Sequence, residues 1–442
     1  MTLKLQRHNG GSVSAGERMG RAVTLLVCGP AEPAGEIASE LCGLGLSARP
    51  CLTQDAVRAF DNEAVDALVA LEPLPVELCA KARAVVSLAG AFDGAGAVII
   101  PPAHPIQIAA RVRSLLRLGV LEDTARVRLN DLGESGHVLP GMEPRTGPVA
   151  VLYAGPPDPF FLRLKHALDA GDTELVAAFS TFNAFDYLHE RAFDAVVLNT
   201  RPKPDIAHTV CSAMRRNTRL YHTPTVLISH EDVYQAADEA FARGASDILP
   251  ASLLGAELAE RINALAHERR RRRVSKGLLE SCRVSGVLDS ETDLFNEAFG
   301  NRHLASLIQL SRQRGLTLSL IALEAVTPFE RTGYSSHASS ALNQFASMLR
   351  HCVRAEDLAV RVNASRFYLA LPDTSAANAQ VVAARVAAIA ECTAYEGADP
   401  HTPFRVSLRH DVAEARPGDT SAALIARAFE TVRGRESAMA AV

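Results

Sequence analysis

Two stretches of the chain repeat one alternation of apolar runs and amphipathic segments. Residues 23–28 (VTLLVC) form a short run closed by Gly29-Pro30, and residues 149–154 (VAVLYA) form another closed by Gly155-Pro156. Both read as buried strands ending in turns. Later, 65–71 parallels 193–198, and each repeat ends in a segment with apolar residues at helical spacing, 106–118 and 253–267. Strands alternating with helices predict parallel sheets covered on both faces. The second repeat holds a full set of strands near 149–153, 174–178, 194–198, 225–228 and 246–249. In the first, only the Gly-rich segment 89–96 separates the fourth and fifth strands, too short for a helix.

From about residue 279 the pattern becomes one larger α+β unit. It reads as a strand at 317–323, a helix at 340–353 and a hairpin from 358–362 and 367–371. A helix at 378–389, a strand at 404–408 and a final helix at 422–432 follow. The expected organisation is a disordered polar N-terminus (1–21), a first α/β domain (22–118) and a Gly- and Pro-containing linker (119–146). A second α/β domain (147–268), a basic connecting helix (269–279) and the α+β domain (280–442) complete it. The run Arg269 to Arg273 reads either as a phosphate-gripping arm or as a solvated helix with cations near its C-terminus, where the dipole favours them.

Composition narrows the function classes. The net charge of −4 gives no basic field for DNA, and 48% hydrophobic content suits several globular cores. No apolar run approaches the ~18 residues of a membrane helix, so no membrane insertion is expected. The N-terminus has no apolar core of a signal peptide. The 8 cysteines are scattered, without C-x-x-C pairs or zinc spacing, which points to a reducing, cytoplasmic setting.

Each α/β repeat resembles a response-regulator receiver domain, a flavodoxin-like, doubly wound parallel sheet. The resemblance implies an Asp nucleophile at the end of the third strand, an acidic pair after the first and a Lys after the fifth. Phosphoryl transfer needs that metal and those cations. In the second receiver the nucleophile position holds Asn199, the acidic pair falls near Ala154 and Gly155, and the Lys position holds Ala251. In the first, the third strand runs into Leu71-Glu72-Pro73 with the register open by one residue. Glu72 is then either at the phospho-acceptor position, imitating a charged state, or in a surface turn. The Lys position reads as Pro101 and the acidic pair shrinks to Glu32, while Asp66 and Asp194 begin their strands, remote from the site. Both receivers are expected to be docking platforms, with a homodimer formed through them. The missing fourth helix puts such dimerisation in doubt for the first.

The stretch Arg354-Ala-Glu-Asp357 through Asn363-Ala364-Ser365-Arg366-Phe367 resembles the GGDEF family, in which R-x-x-D precedes the GG(D/E)EF hairpin by five residues. Asp289, Thr292, Leu294 and Asn296 fit the family's D-x-L-T-G-L-x-N pattern. The order receiver–receiver–GGDEF resembles the PleD group of diguanylate cyclases. That resemblance implies a metal-dependent condensation of two GTP molecules, but the residues for it are replaced. The metal positions read as Ala322 and Ser365, with Arg366 beside the latter, and Glu324 falls at a second, non-essential position. Asn363 and Ala364 replace the signature glycines, and Glu436 replaces a phosphate-binding Lys. No metal and no catalysis are expected.

The family's inhibitory site, which takes cyclic-di-GMP as an intercalated dimer, is retained by the same resemblance. Arg354 and Asp357 supply R-x-x-D, and Arg385 falls at the position of the third contributor; Arg312 or Arg314 is a candidate for a contact made from a second domain. Arg suits a phosphate or a guanine O6/N7 edge, and a carboxylate suits the N1–H/N2–H₂ edge. The bland alternative is an i,i+3 surface ion pair between Arg354 and Asp357 and a solvated Arg385. By resemblance the output is recruitment of an adaptor or substrate to the ClpXP protease at a cell pole. A residual cyclase or GTP-binding regulator and a nucleotide-independent scaffold remain alternatives.

Overall fold

The computed structural model describes residues 23–62, 65–99, 103–137, 147–201, 203–230, 237–326, 336–395 and 405–439. The expected disordered N-terminus, Pro101 and positions 138–146 of the expected linker lie outside the described residues. Two compact units result, one from residues 22–119 and 143–274, the other from 120–142 and 275–442.

The first unit holds two parallel sheets. Strands β1 (Thr24–Cys28), β2 (Ser47–Cys51), β3 (Ala67–Ala70), β4 (Ala84–Ser87) and β5 (Ala97–Val98) are ordered β2-β1-β3-β4-β5. Helices α1 (Ala31–Gly43), α2 (Ala56–Asn62) and α3 (Val76–Lys81) connect them, and α4 (Pro105–Glu134) follows. The central strands are buried along their length except for half-buried Thr24 at the start of β1, as apolar runs in a parallel sheet require, while Pro50 sits in edge strand β2, where a missing donor is tolerated. The second sheet uses β6 (Val149–Ala154), β7 (Thr173–Ala178), β8 (Ala195–Asn199), β9 (Thr225–Ser229) and β10 (Asp247–Pro250), with the same topology from the other edge. Its helices are α5 (Pro159–Asp169), α6 (Thr181–Glu190), α7 (Pro204–Arg216), α8 (Ala237–Ala242) and α9 (Gly255–Ser281). Both sheets have the strand order of receiver domains.

The first half of α4 packs on the second receiver. Gln107 donates to the buried Asp247 of β10, which Arg261 of α9 also holds; Arg111 pairs with Glu268 at 2.8 Å and His104 with Asp238 at 2.8 Å. The face formed by α8, β10 and α9 is thus taken within the chain, which removes it from the surfaces available for the expected homodimer.

The second unit has one four-stranded sheet, β12-β13-β11-β14, built from β11 (Leu318–Val326), β12 (Leu358–Arg361), β13 (Arg366–Pro372) and β14 (Ser407–Glu414). Alternation along β11 sends Ile321 and Leu323 to helices α11 (Ser336–Cys352) and α12 (Ala376–Cys392). It sends Leu320 and Ala322 to α10 (Glu297–Arg314) and α13 (Ser421–Met439). Among the described residues no helix is long and apolar enough to cross a membrane.

The expected linker is not a linker at its start. Helix α4 runs through Glu134, and residues 120–134 belong to the second unit. Leu121, Ala125 and Leu132 are buried there, but so are Thr124, Arg128 and Asp131. With Val120 also buried, polar side chains take three of the seven inward positions, so the segment shows no clear amphipathic signal in sequence. The basic helix, likewise, is a continuation of α9 and is not solvated throughout. Arg270 (2.8 Å) and Arg273 (3.2 Å) pair with Asp194, whose carboxylate also accepts the Ala150 N–H. Asp66 accepts the equivalent Thr24 N–H in the first receiver. Asp194→Ala should lower stability by roughly 1.5–3 kcal/mol, as expected for losing hydrogen bonds to a charged group, measured by chemical denaturation.

Candidate functional site

The R-x-x-D segment is the turn between α11 and β12. The Arg354 N–H donates to Asp357 Oδ2 (2.8 Å), and the Asp357 N–H returns a bond to the Arg354 carbonyl (3.2 Å). Arg354 is exposed, but Asp357 is only 7% exposed, and its Oδ1 is buried without a hydrogen-bond partner. Burial, reinforced by Glu356, pushes the Asp357 carboxyl up to about 7 against the pull of the Arg354 N–H, Arg354 and Arg128. Helix α12 brings Arg385 to the same place: its exposed guanidinium donates to the Cys352 carbonyl (3.1 Å), two residues before Arg354. The three residues gather around one turn. Asp357, however, lies beneath the surface, neither the displayed acceptor nor the surface ion pair that the sequence suggested.

Sequence reasoning missed the residue under this turn. Arg128 of α4 donates to three consecutive carbonyls, Ala355 (3.1 Å), Glu356 (3.0 Å) and Asp357 (3.1 Å). It fell in the stretch taken for a linker, where nothing in the pattern marked it.

The positions expected to correspond to the family's catalytic residues lie at the other end of the hairpin. Ala322 is fully buried opposite Tyr368. Two residues on, Glu324 faces Arg366 across the strands and accepts its Nε (2.8 Å) and Nη2 (2.7 Å), and Arg409 on the other neighbouring strand stands 4.0 Å away. The Arg366 guanidinium lies 5.8 Å from the Phe429 ring centroid. A magnesium ion needs several oxygen ligands in near-octahedral geometry. Glu324 is already held by guanidinium groups and Asp411, opposite Ala322 on β14, is the other carboxylate of this face; among the described residues no three potential ligands cluster, so these residues do not fit the ion. Asn363 closes the hairpin through its side chain, Oδ1 accepting from the N–H of Ser365 (3.0 Å) and of Arg366 (2.9 Å). Positions 363–365, Ala364 included, stay out of the left-handed region, so this turn needs no glycine. Glu436 lies on α13, and its side chain is outside the described residues.

The D-x-L-T-G-L-x-N segment is a structural lead-in to α10. Asp289 accepts from Thr292 (2.7 Å) and pairs with Arg361 (2.8 Å); these bonds draw its carboxyl down against burial. Asp293 adopts φ +56°, the left-handed backbone for which the pattern's glycine is suited, and Asn296 caps the helix through the Phe299 N–H (2.9 Å). Arg312 donates to the Asp419 carbonyl (2.7 Å) and Arg314 pairs with Asp123 (3.0 Å), so both are engaged within this unit.

In the second receiver the Asn199 amide is fully engaged. It donates to Tyr153 Oη (3.0 Å) and Asp158 (3.1 Å) and receives the Arg201 N–H (3.0 Å), with His230 2.9 Å away. Asp158, the N-cap of α5, brings a carboxylate here that the sequence did not assign. The repeat settles the register in the first receiver. Cys28 pairs with Ala70 as Ala154 pairs with Leu198, which sets Leu71 at the place of Asn199. A Cβ on Gly29 would come within 2.7 Å of Leu71 Cβ, as one on Gly155 would come within 2.5 Å of Asn199 Cβ. Glu72 is therefore not the phospho-acceptor position; it is exposed one residue later and accepts from Thr53 (2.6 Å).

Residues 287–438 match the family model "Diguanylate cyclase, GGDEF domain". The chain is similar to the response regulator PleD of Caulobacter vibrioides, 25% identical over 346 residues that cover 78% of this chain and 76% of PleD. The GGDEF domain of DgcB from Caulobacter crescentus, solved in complex with c-di-GMP, aligns over 35% of this chain and 90% of its own, with TM-score 0.33 and 16% identity. Diguanylate cyclase SiaD of Pseudomonas aeruginosa, in complex with its activator SiaC, aligns over 41% and 70%, with TM-score 0.34 and 21% identity. The GGDEF match thus falls within a chain that is similar overall to PleD.

Asn199→Asp should not restore phosphorylation. It sets a second carboxylate against Asp158, and like charges at that separation disfavour ionisation of both. The expected result is a lower melting temperature and no phosphate incorporated from a small phosphodonor with Mg²⁺. Asp357 also sets a pH dependence. Its pKa is raised on folding, so its contribution is full below about 4 and is lost as pH rises through about 7. His303 works oppositely, because its pKa is pushed down to about 4 by burial. The stability of Asp357→Asn relative to wild type should therefore increase between pH 4 and pH 7, measured by denaturant titration at each pH.

Proposed function

We propose that this chain binds cyclic-di-GMP at the 352–357 turn without making it, and acts as an effector. The supporting observation is the convergence of two exposed guanidinium groups, Arg354 and Arg385, on a turn whose buried Asp357 Oδ1 lacks a donor. A dinucleotide of guanine brings phosphates and base edges for the arginines and two N–H donors for the carboxyl. The Arg366–Glu324 pair and the buried Ala322 support the absence of cyclase activity. On the family resemblance, the ligand binds as an intercalated dimer and binding governs recruitment of a partner to the ClpXP protease at a cell pole.

Calorimetry with cyclic-di-GMP tests this. Arg354→Ala and Arg385→Ala should each weaken binding by roughly tenfold or more, about 1.4 kcal/mol. Affinity should rise with pH through about 7, as the proton leaves Asp357, and Asp357→Asn should be weaker and flat with pH. Absence of heat in wild type sinks the proposal in favour of a nucleotide-independent scaffold. Cyclic-di-GMP formed from GTP and Mg²⁺ would establish a residual cyclase instead.

A further inference from the structure

The groups beneath the candidate site form a chain of their own. Arg128 is 2% exposed and is among the largest fully buried side chains. Beyond its three carbonyl acceptors, its Nε donates to His303 Nε2 (3.2 Å). An arginine Nε only donates, so His303 Nε2 accepts and its proton sits on Nδ1, which is 2.6 Å from Asp131 Oδ2. The imidazole is therefore neutral. Asp131 is completed by Ser306 Oγ (2.8 Å). The Arg128 guanidinium lies 5.3 Å from the Phe295 ring centroid and Arg283 lies 5.0 Å from it.

Stability alone gives a poor reason for this arrangement. Desolvating an arginine and an aspartate is costly, and packed apolar side chains often do as well or better. An apolar side chain lacks the donors to hold three successive peptide oxygens on one side of a turn. Those oxygens fix the curl that leaves Arg354 outward, engages Asp357 Oδ2 with the Arg354 N–H and leaves the buried Oδ1 without a donor.

We propose that Arg128, held by His303 and Asp131, is the positioning residue of the ligand site, so that the second half of α4 is part of that site and not a tether. This deepens the function proposed above and rests on it. Three charged groups face the Asp357 carboxyl: Glu356 raises its pKa, while Arg354 and Arg128 lower it. Removing the Arg128 charge therefore has a signature that loosened packing does not share.

The test is calorimetry of the full-length chain with cyclic-di-GMP from pH 5.5 to 8.5, on wild type, Arg128→Lys and Arg128→Met. Arg128→Lys keeps the charge but not the fork, and should bind roughly tenfold weaker with the wild-type pH midpoint. Arg128→Met should bind weaker still, with its midpoint moved to higher pH. If Arg128→Met does not fold, Arg128→Lys decides by itself. Wild-type affinity in whichever variants fold, or a midpoint in Arg128→Met that stays in place, overturns the positioning role while leaving the function intact. A wild type that binds nothing overturns the function and the positioning role together.

Discussion

A guanidinium taken out of water must find acceptors for its N–H groups, and that demand at Arg128 organises the second unit. Its acceptors are peptide oxygens of the 354–357 turn and an imidazole of α10. Helix α4, the lead-in residue Phe295, helix α10 and the start of β12 are thereby tied to one buried charge. Burial pushes the pKa of Arg128 down to about 10, far enough above neutrality to leave it charged at physiological pH. Asp131 balances that charge across a neutral histidine. Polar groups inside a protein specify geometry because few arrangements satisfy them all.

The hairpin after that turn carries two local devices. At its tip an amide side chain supplies bonds that glycine-rich backbone would otherwise arrange. Beside the tip a cross-strand ion pair holds the Glu324 carboxylate. In the receivers the comparable devices are a hydrogen-bonded amide at Asn199 and an apolar side chain at Leu71. Each is a stable local structure, complete without a substrate.

Much of the fold was legible because strands buried on both faces leave apolar runs, and the repeat of Gly-Pro turns marked two equivalent domains. The receiver register was not, because a third strand followed by Leu-Glu-Pro permits either residue at its end; only the pairing of β1 with β3 decided for Leu71. The gathering of Arg354, Asp357 and Arg385 was implied by the family resemblance, whereas the burial of Asp357 was not legible, since exposure depends on what lies beneath a turn. Arg128 and Asp131 were illegible for a related reason: a helix whose inward face is charged looks in sequence like one that faces water. The clamp of Arg270 and Arg273 on Asp194 hid in the same way, inside a run of five basic residues.

The Arg366–Glu324 pair also bears on the direction of change open to this sequence. Two carboxylates facing each other across neighbouring strands are tolerable around a cation and repulsive without one. An acid introduced at 366 alone would meet Glu324 with no ion to separate them, while an acid at 322 alone would enter a sealed apolar layer. Either change alone would therefore give a less stable protein. The packing at this edge thus disfavours a carboxylate at either position.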